Sequence, residues 1–289
     1  MQRKEFQQQL WLDFVHRHPD IGALDIWPDS INPEYLMFLT LNQGPFRSEK
    51  LLPSLYHQGY RRVKQYAMAD RGLLVDLLLP PDGGAAVMLA ELQANSLPPI
   101  HRDLLKRLIS QSHRDDCKGQ NLLAPCRPWD MPDWPTFERL LEANPLAAWL
   151  SVMGPRLHHV GFNAEELGET LEAVCEGMLA YGMAPQTGRH HAVLPINPKL
   201  QYHYYPAHAQ RMVFADGDEH MVVLGGINIL GGSGTIPGVV IAAFVMGMVT
   251  FGFGLLNVPG IVMSIFIGFL LIGVIALPRL WKKFASRRG

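Results

Sequence analysis

The chain has 289 residues, of which 48% are hydrophobic and 18% are charged; this is ample material for a sizeable core and excludes a disordered tail. The formal net charge is −1, but five of the 25 basic residues follow Pro278, whereas all 26 acidic residues lie at or before Glu219. The long part before the basic tail is therefore acidic overall, which removes any electrostatic case for binding nucleic acid.

The first half of the chain predicts a helix followed by one βαβββ unit. The opening helix places Phe6, Leu10 and Phe14 on one face. "YLMFLTL" predicts the next strand, and Ser48 begins a helix that ends near Gly59. Three further strands are predicted in "YRRVKQYAM", "LLVDLLL" and "AVMLAELQ".

The second half repeats this order after a helical middle. "PIHRDLLKRLISQ" and "PTFERLLEANPLAAWLSVM" carry apolar residues at helical spacing. The strand "LHHVGF" follows, then a helix that Asn163 caps together with Glu166, and a hairpin that turns at Asp216-Gly217. Two βαβββ units in tandem predict an α+β body whose two sheets curl around a shared pocket.

The pocket of such a body would take its metal ligands from the first and last strands of each unit. The first unit offers Tyr35 and Glu91, and the second offers His158 or His159 and the strand "VLGGINIL". Because side chains alternate along a strand, His158 and His159 are predicted on opposite faces. At most one of these two histidines would then reach the pocket. A histidine that only packs in the sheet is the simpler alternative for either of them.

The end of the chain predicts a hydrophobic hairpin. Residues 238–278 contain no Asp, Glu, Lys or Arg and divide into two arms, each long enough to cross a hydrocarbon core of about 30 Å. A hairpin buried in a soluble core is the alternative, but polar positions at helical spacing are missing from both arms. The glycine-rich residues 231–237 read as a linker, and residues 279–289 as a basic cytoplasmic tail.

Two stretches resemble the family formerly called DUF1338. These are "LAELQANSLPPIHRDLLKRLI" and "RPWDMPDWPTFERLLEANPLAAWLSVMGPRLHHVGFNA", and the resemblance covers residues 5 to 230. Known members are 2-oxoadipate dioxygenase/decarboxylases, which use Fe(II) in a vicinal-oxygen-chelate-like fold. The resemblance implies a fold class of two βαβββ vicinal-oxygen-chelate-like modules with inserted helices in residues 1–230, followed here by a two-helix transmembrane hairpin.

Members of that family hold iron with two histidines and one glutamate, which leaves open positions for a 2-oxo acid and O₂. Carried over by position, the second histidine falls on His159 and the first on Tyr35. The arginine that pairs with the substrate carboxylate falls on Leu39, and the glutamate of the last strand on Ile229. One ligand of three remains, and leucine cannot replace a guanidinium that binds a carboxylate through two hydrogen bonds.

Three functions follow as hypotheses. The first is a membrane-tethered, degenerate relative of these oxygenases that still binds a small carboxylate or a partner. The second is a working Fe(II)-dependent 2-oxo acid dioxygenase in which Glu91, Tyr35, His203 or the pair His190 and His191 replace the lost ligands. The third is a structural membrane scaffold. In all three, we expect the hairpin to hold the body at the cytoplasmic side of the inner (cytoplasmic) membrane, as a candidate homo-oligomer.

Overall fold

Seven α-helices and nine β-strands form the part of the chain that the computed structural model describes, which is residues 3–27, 32–81, 83–112, 127–186 and 201–231. The helices are α1 (Arg3–Arg17), α2 (Pro19–Gly22), α3 (Ser48–His57), α4 (Pro99–Ile109), α5 (Trp134–Ala143), α6 (Pro145–Met153) and α7 (Leu171–Ala180). The strands are β1 (Tyr35–Leu41), β2 (Arg61–Met68), β3 (Leu73–Leu79), β4 (Ala86–Leu92), β5 (Arg156–Asn163), β6 (Gln201–Pro206), β7 (Gln210–Val213), β8 (Glu219–Val222) and β9 (Gly226–Gly231).

One seven-stranded sheet, ordered β2-β3-β4-β1-β5-β9-β6, carries both units. In each unit the first strand pairs in parallel with the last, β1 with β4 and β5 with β9. The prediction of two separate sheets is wrong because β1 also pairs with β5 in antiparallel orientation, which joins the units edge to edge. Strands β7 and β8 form a separate hairpin.

The two faces of this sheet differ in what covers them. The first face bears Leu36 and Phe38 of β1, which share a core cluster with apolar residues of α1, α3 and α7. Those helices contribute Phe6, Leu10, Phe14, Leu51, Leu52, Leu55, Leu171, Val174 and Met178. The second face bears Tyr35, Met37 and Leu39, which alternate with the first set and are also buried. Both faces of the central strand, β1, are therefore buried, which explains its uninterrupted apolar sequence.

The elements predicted from periodicity and turn residues are present where the sequence placed them. Tyr35–Leu41 is a strand, α3 begins at Ser48, and β7 and β8 flank the Asp216-Gly217 turn. One cap differs from its prediction. Asn163 accepts a hydrogen bond from the Glu165 amide, but α7 begins later and is capped by Thr170, whose Oγ1 accepts from the Ala173 amide at 3.1 Å.

The predicted fold class is wrong in its last component, the two-helix transmembrane hairpin. Among the described helices none is long and apolar enough to cross a membrane. The longest of them, α1, has 15 residues, whereas a spanning helix needs about 20. The segment predicted as the hairpin, 238–278, lies outside the described residues, as do the tail 279–289 and nearly all of the linker. The domain boundaries and the cytoplasmic membrane location stay predictions.

Candidate functional site

His159 lies on the second face of the sheet between two tyrosine rings. Only 3% of its surface is exposed. Its Nε2 is 3.2 Å from the Tyr35 hydroxyl, and the two rings meet edge to face with centroids 5.7 Å apart. The Tyr204 ring approaches from the other side, also edge to face, at 5.8 Å. The two tyrosines therefore enclose the imidazole that the family pattern assigns to iron.

Glycines in the neighbouring strands make room for both tyrosine rings. The Tyr35 ring lies directly over Gly161, where a Cβ atom would overlap it. The Tyr204 ring lies over Gly226, where a Cβ atom would be 2.7 Å from Tyr204 Cζ. Glycine is required wherever another group approaches the strand this closely. The space in front of His159 is consequently filled by the protein's own aromatic rings.

The predicted separation of His158 and His159 onto opposite faces is wrong. Met37 of β1 pairs with His159 but Phe38 pairs with Leu157, so His158 is an extra residue in β5. Such a bulge interrupts the alternation of side chains. The result is a direct contact, since the Nδ1 atoms of the two histidines are 2.9 Å apart. His158 also packs against the Trp149 ring, with centroids 4.7 Å apart.

Both ring nitrogens of His159 have hydrogen-bond partners. In the contact between the two Nδ1 atoms, one nitrogen must carry the hydrogen and the other must accept it. If His159 Nδ1 donates, its Nε2 accepts from the Tyr35 hydroxyl. If His159 Nδ1 accepts, its Nε2 donates to the Tyr35 oxygen. In either tautomer one ring nitrogen of His159 carries a hydrogen, and the lone pair of the other accepts a hydrogen bond. Neither nitrogen therefore has a lone pair available for a metal.

Glu91, a candidate ligand, lies on the first face and serves a different purpose. Its Oε2 accepts a 2.6 Å hydrogen bond from the Ser48 amide, and its Oε1 accepts from Gln93 Nε2 at 2.7 Å. Ser48 is the first residue of α3, and Arg47 before it provides no side-chain cap. A carboxylate at this position satisfies a helix amide that has no partner within the helix, and it interacts favourably with the helix dipole. Glu91 is therefore the cap of α3, supplied from β4.

This assignment predicts a change in stability for variants of Glu91. Glu91→Leu should lower the free energy of unfolding by about 2 kcal/mol, because the Ser48 amide loses its acceptor in a buried place. Glu91→Gln retains an acceptor oxygen and should lose less than half as much. Urea denaturation of both variants measures the difference. Unchanged stability of Glu91→Leu would contradict the capping role.

The remaining candidates also divide between the two faces. His203 and Ile229 pair across β6 and β9, and Ile229 belongs to the core cluster of the first face. His203 Nδ1 is 3.3 Å from the Tyr205 hydroxyl, and burial lowers the pKa of this histidine. Leu39 lies with Tyr35 and His159 on the second face and is fully buried. The His190 and His191 pair lies outside the described residues.

The register shows where Ile229 lies relative to His159. Asn228, not Ile229, pairs with Gly161 and Tyr204, in the row that contains Tyr35. Ile229 therefore lies one position out of that row, on the opposite face from Tyr35 and His159.

The residues that the structure describes around His159 do not fit an Fe(II) centre. Iron of this kind needs two imidazoles and a carboxylate around one point, with positions left open for a ligand. His159 is enclosed by phenols, and the candidate carboxylate, Glu91, lies on the other face. Burial raises the pKa of Tyr204, so its phenol stays protonated and is a poor ligand. Within the described ranges, no group of three or more His, Cys, Asp and Glu residues could hold a metal ion.

In this α+β sheet β1–β4 form one βαβββ unit, while β5, β9 and β6 come from the second. Solved structures share this fold. Hydroxyglutarate synthase from Oryza sativa, in complex with 2-oxoadipate, is similar with a TM-score of 0.69 and 18% identity, over 79% of this chain and 81% of that one. A Shewanella frigidimarina protein described provisionally as a hydrolase gives a TM-score of 0.67 and 19% identity, over 79% and 92%.

A third similar structure is YdcJ from Shigella flexneri, which includes the domain DUF1338. Its TM-score is 0.53 with 14% identity, over 78% of this chain and 68% of that one. No family model matches the sequence, and no curated protein sequence matches it. At these identities the likeness establishes the fold, while activity must be argued from the site. The fold that the resemblance implied for the body is thus shared with a structure that contains DUF1338.

Proposed function

We propose that this chain is a non-catalytic relative of the 2-oxoadipate enzymes that binds a small carboxylate without a metal. The observation that supports the proposal is the enclosure of His159, whose two ring nitrogens are held by Tyr35 and His158. A hydroxyglutarate synthase of the same fold binds 2-oxoadipate, which suggests the class of ligand. The binding of a partner protein and assembly into a homo-oligomer stay predictions.

The alternative, an active dioxygenase with a rebuilt ligand set, has less support. Its candidate ligands beside His159 were Glu91, Tyr35, His203 and the pair His190 and His191, of which that pair lies outside the described residues. The sheet directs Glu91 and His203 to its first face. Glu91 is already bound to the Ser48 amide, and His203 to Tyr205. Moving either residue to the second face would require a one-residue shift of its strand, which would also expose that strand's apolar side chains.

An anaerobic iron titration followed by oxygen measurement tests the proposal. We expect the full chain to retain no stoichiometric Fe(II) and to consume no oxygen when 2-oxoadipate is added, because among the described residues no carboxylate joins His159. The Oryza sativa enzyme, loaded in the same way, is the positive control. The His159→Ala variant is the matched comparison and should behave like the parent chain. Stoichiometric iron with 2-oxo acid-dependent oxygen uptake, lost in His159→Ala, would show that the protein is an enzyme.

A further inference from the structure

A cavity lies at the end of α1 and the start of β5, away from His159. Its volume is about 530 Å³, and neither His159 nor Tyr35 lines it. Three arginines from separate parts of the chain converge on it: Arg17 ends α1, Arg127 precedes α5, and Arg156 opens β5. His16 and Gln210 add two more polar side chains. Such a concave site with a few converging polar groups is typical of small-molecule binding.

The arginines are held in place by the fold. Arg127 donates from Nε to the Trp129 carbonyl and from Nη1 to the Val152 carbonyl, both at 2.8 Å. Arg156 is 7% exposed and pairs with Leu39, so it lies on the second face. The backbone carbonyl of Arg17 accepts a hydrogen bond from the Gln210 side chain, which ties the end of α1 to β7. Fixed donors lose little conformational entropy when a ligand binds.

Arginines supply the charge among the described residues that line this cavity. None of the described residues that line it is acidic. Burial lowers the pKa of Arg17 and of Arg127, and the nearby Asp13 and Asp130 offset this only in part. Guanidinium groups bind carboxylates and phosphates through paired hydrogen bonds, which makes an anion the expected occupant.

The remaining wall of the cavity is apolar. Val152 and Met153 from the end of α6 and Leu224 before β9 supply it. We infer that the arginine cavity binds an organic anion with two negatively charged groups, a dicarboxylate or an organic diphosphate, whose carbon skeleton lies against this wall. This inference rests on the proposed function, because it assumes that the ligand binds without a metal. It goes further in assigning the anion to Arg17, Arg127 and Arg156 in place of His159.

Calorimetric titration of the full chain in the presence of a chelator tests this assignment. The probes are 2-oxoadipate for the dicarboxylate and adenosine 5′-diphosphate for the diphosphate, with acetate as a singly charged control. We expect saturable binding of one of the first two and none of acetate. Arg17→Gln should weaken binding about tenfold, which corresponds to about 1.4 kcal/mol. Gln210 donates to the backbone carbonyl of residue 17, so this variant keeps that hydrogen bond.

Arg61→Gln is the matched control, since it removes the same charge from the exposed edge strand β2. Arg61→Gln should bind as the parent does, and Arg156→Gln should weaken binding at least as much as Arg17→Gln. Absence of binding by both probes, or equal weakening by Arg61→Gln and Arg17→Gln, would overturn the inference. So would loss of binding in His159→Ala alone. Iron-dependent oxygen uptake contradicts only the proposed function, because the chelator excludes metal from this titration.

Discussion

Gly161→Ala should lower the free energy of unfolding by about 3 kcal/mol, near the upper end of the range for overpacked cores. The new Cβ would overlap the Tyr35 ring, which is 1% exposed and has no free space to enter. Gly161 lies in β5 between β1 and β9, so its backbone cannot move away from the ring without weakening the strand pairing on both sides. Urea denaturation monitored by tryptophan fluorescence would measure the loss.

Gly177→Ala provides the matched control. Gly177 lies in α7, and a Cβ atom added there would have no neighbour within 4 Å, so alanine should stabilise the helix by about 0.5–1 kcal/mol. A double variant, Tyr35→Ala with Gly161→Ala, should cost clearly less than the sum of the two single changes, because removal of the ring removes the overlap. Full additivity would show that the ring does not occupy this space.

Between pH 6.5 and pH 4, the folded state should lose about 3 kcal/mol of stability through His18 alone. Burial lowers the pKa of His18 to about 4, with a smaller opposing effect from Asp20. The unfolded chain takes up a proton near pH 6.5, whereas the folded chain does so only near pH 4. Stability therefore falls as the pH decreases through this interval and does not change further, from this group, below it.

The environment of His18 explains this behaviour. The imidazole is 2% exposed, packs on the Phe14 ring with centroids 4.6 Å apart, and lies against Gly225. Its Nδ1 has no hydrogen-bond partner among the described residues, so no hydrogen bond at that atom favours the charged form. Unfolding curves at several pH values should show a flatter profile for His18→Gln than for the parent. A profile for His18→Gln as steep as that of the parent would contradict the assignment to His18.

Much of the fold follows from local patterns in the sequence. The apolar run Tyr35–Leu41, the start of α3 at Ser48 and the hairpin turn at Asp216-Gly217 each carry their signal within a few residues. The joining of β1 to β5 could not be predicted in this way, because it depends on residues more than 100 positions apart. Sequence periodicity shows that a strand has two buried faces but does not show which strand lies beside it.

The candidate site was harder to predict because alternate residues of a strand face opposite sides of the sheet. An error of one residue therefore places a side chain on the wrong face. The family pattern selected His159, which lies with Tyr35 on the second face, but Glu91, His203 and Ile229 face the opposite side of the sheet. One extra residue at His158 reverses the expected alternation in β5, and nothing local in "RLHHVGF" reveals it. A cap from a distant strand, as Glu91 provides for α3, has no signal in the helix that it serves.

The bulge in β5 has a consequence for how easily this protein could acquire a metal. A histidine in place of Tyr35 would put a second imidazole on this face, yet His159 would still be engaged by its neighbour His158. Deleting His158 would release His159 and leave Leu157 and Arg156 opposite Phe38 and Leu39, where they already lie, so the ladder would become regular and Arg156 would keep its face. The extra residue is thus separable from the arginine cavity, and a mutational path towards iron could remove it without giving up that cavity.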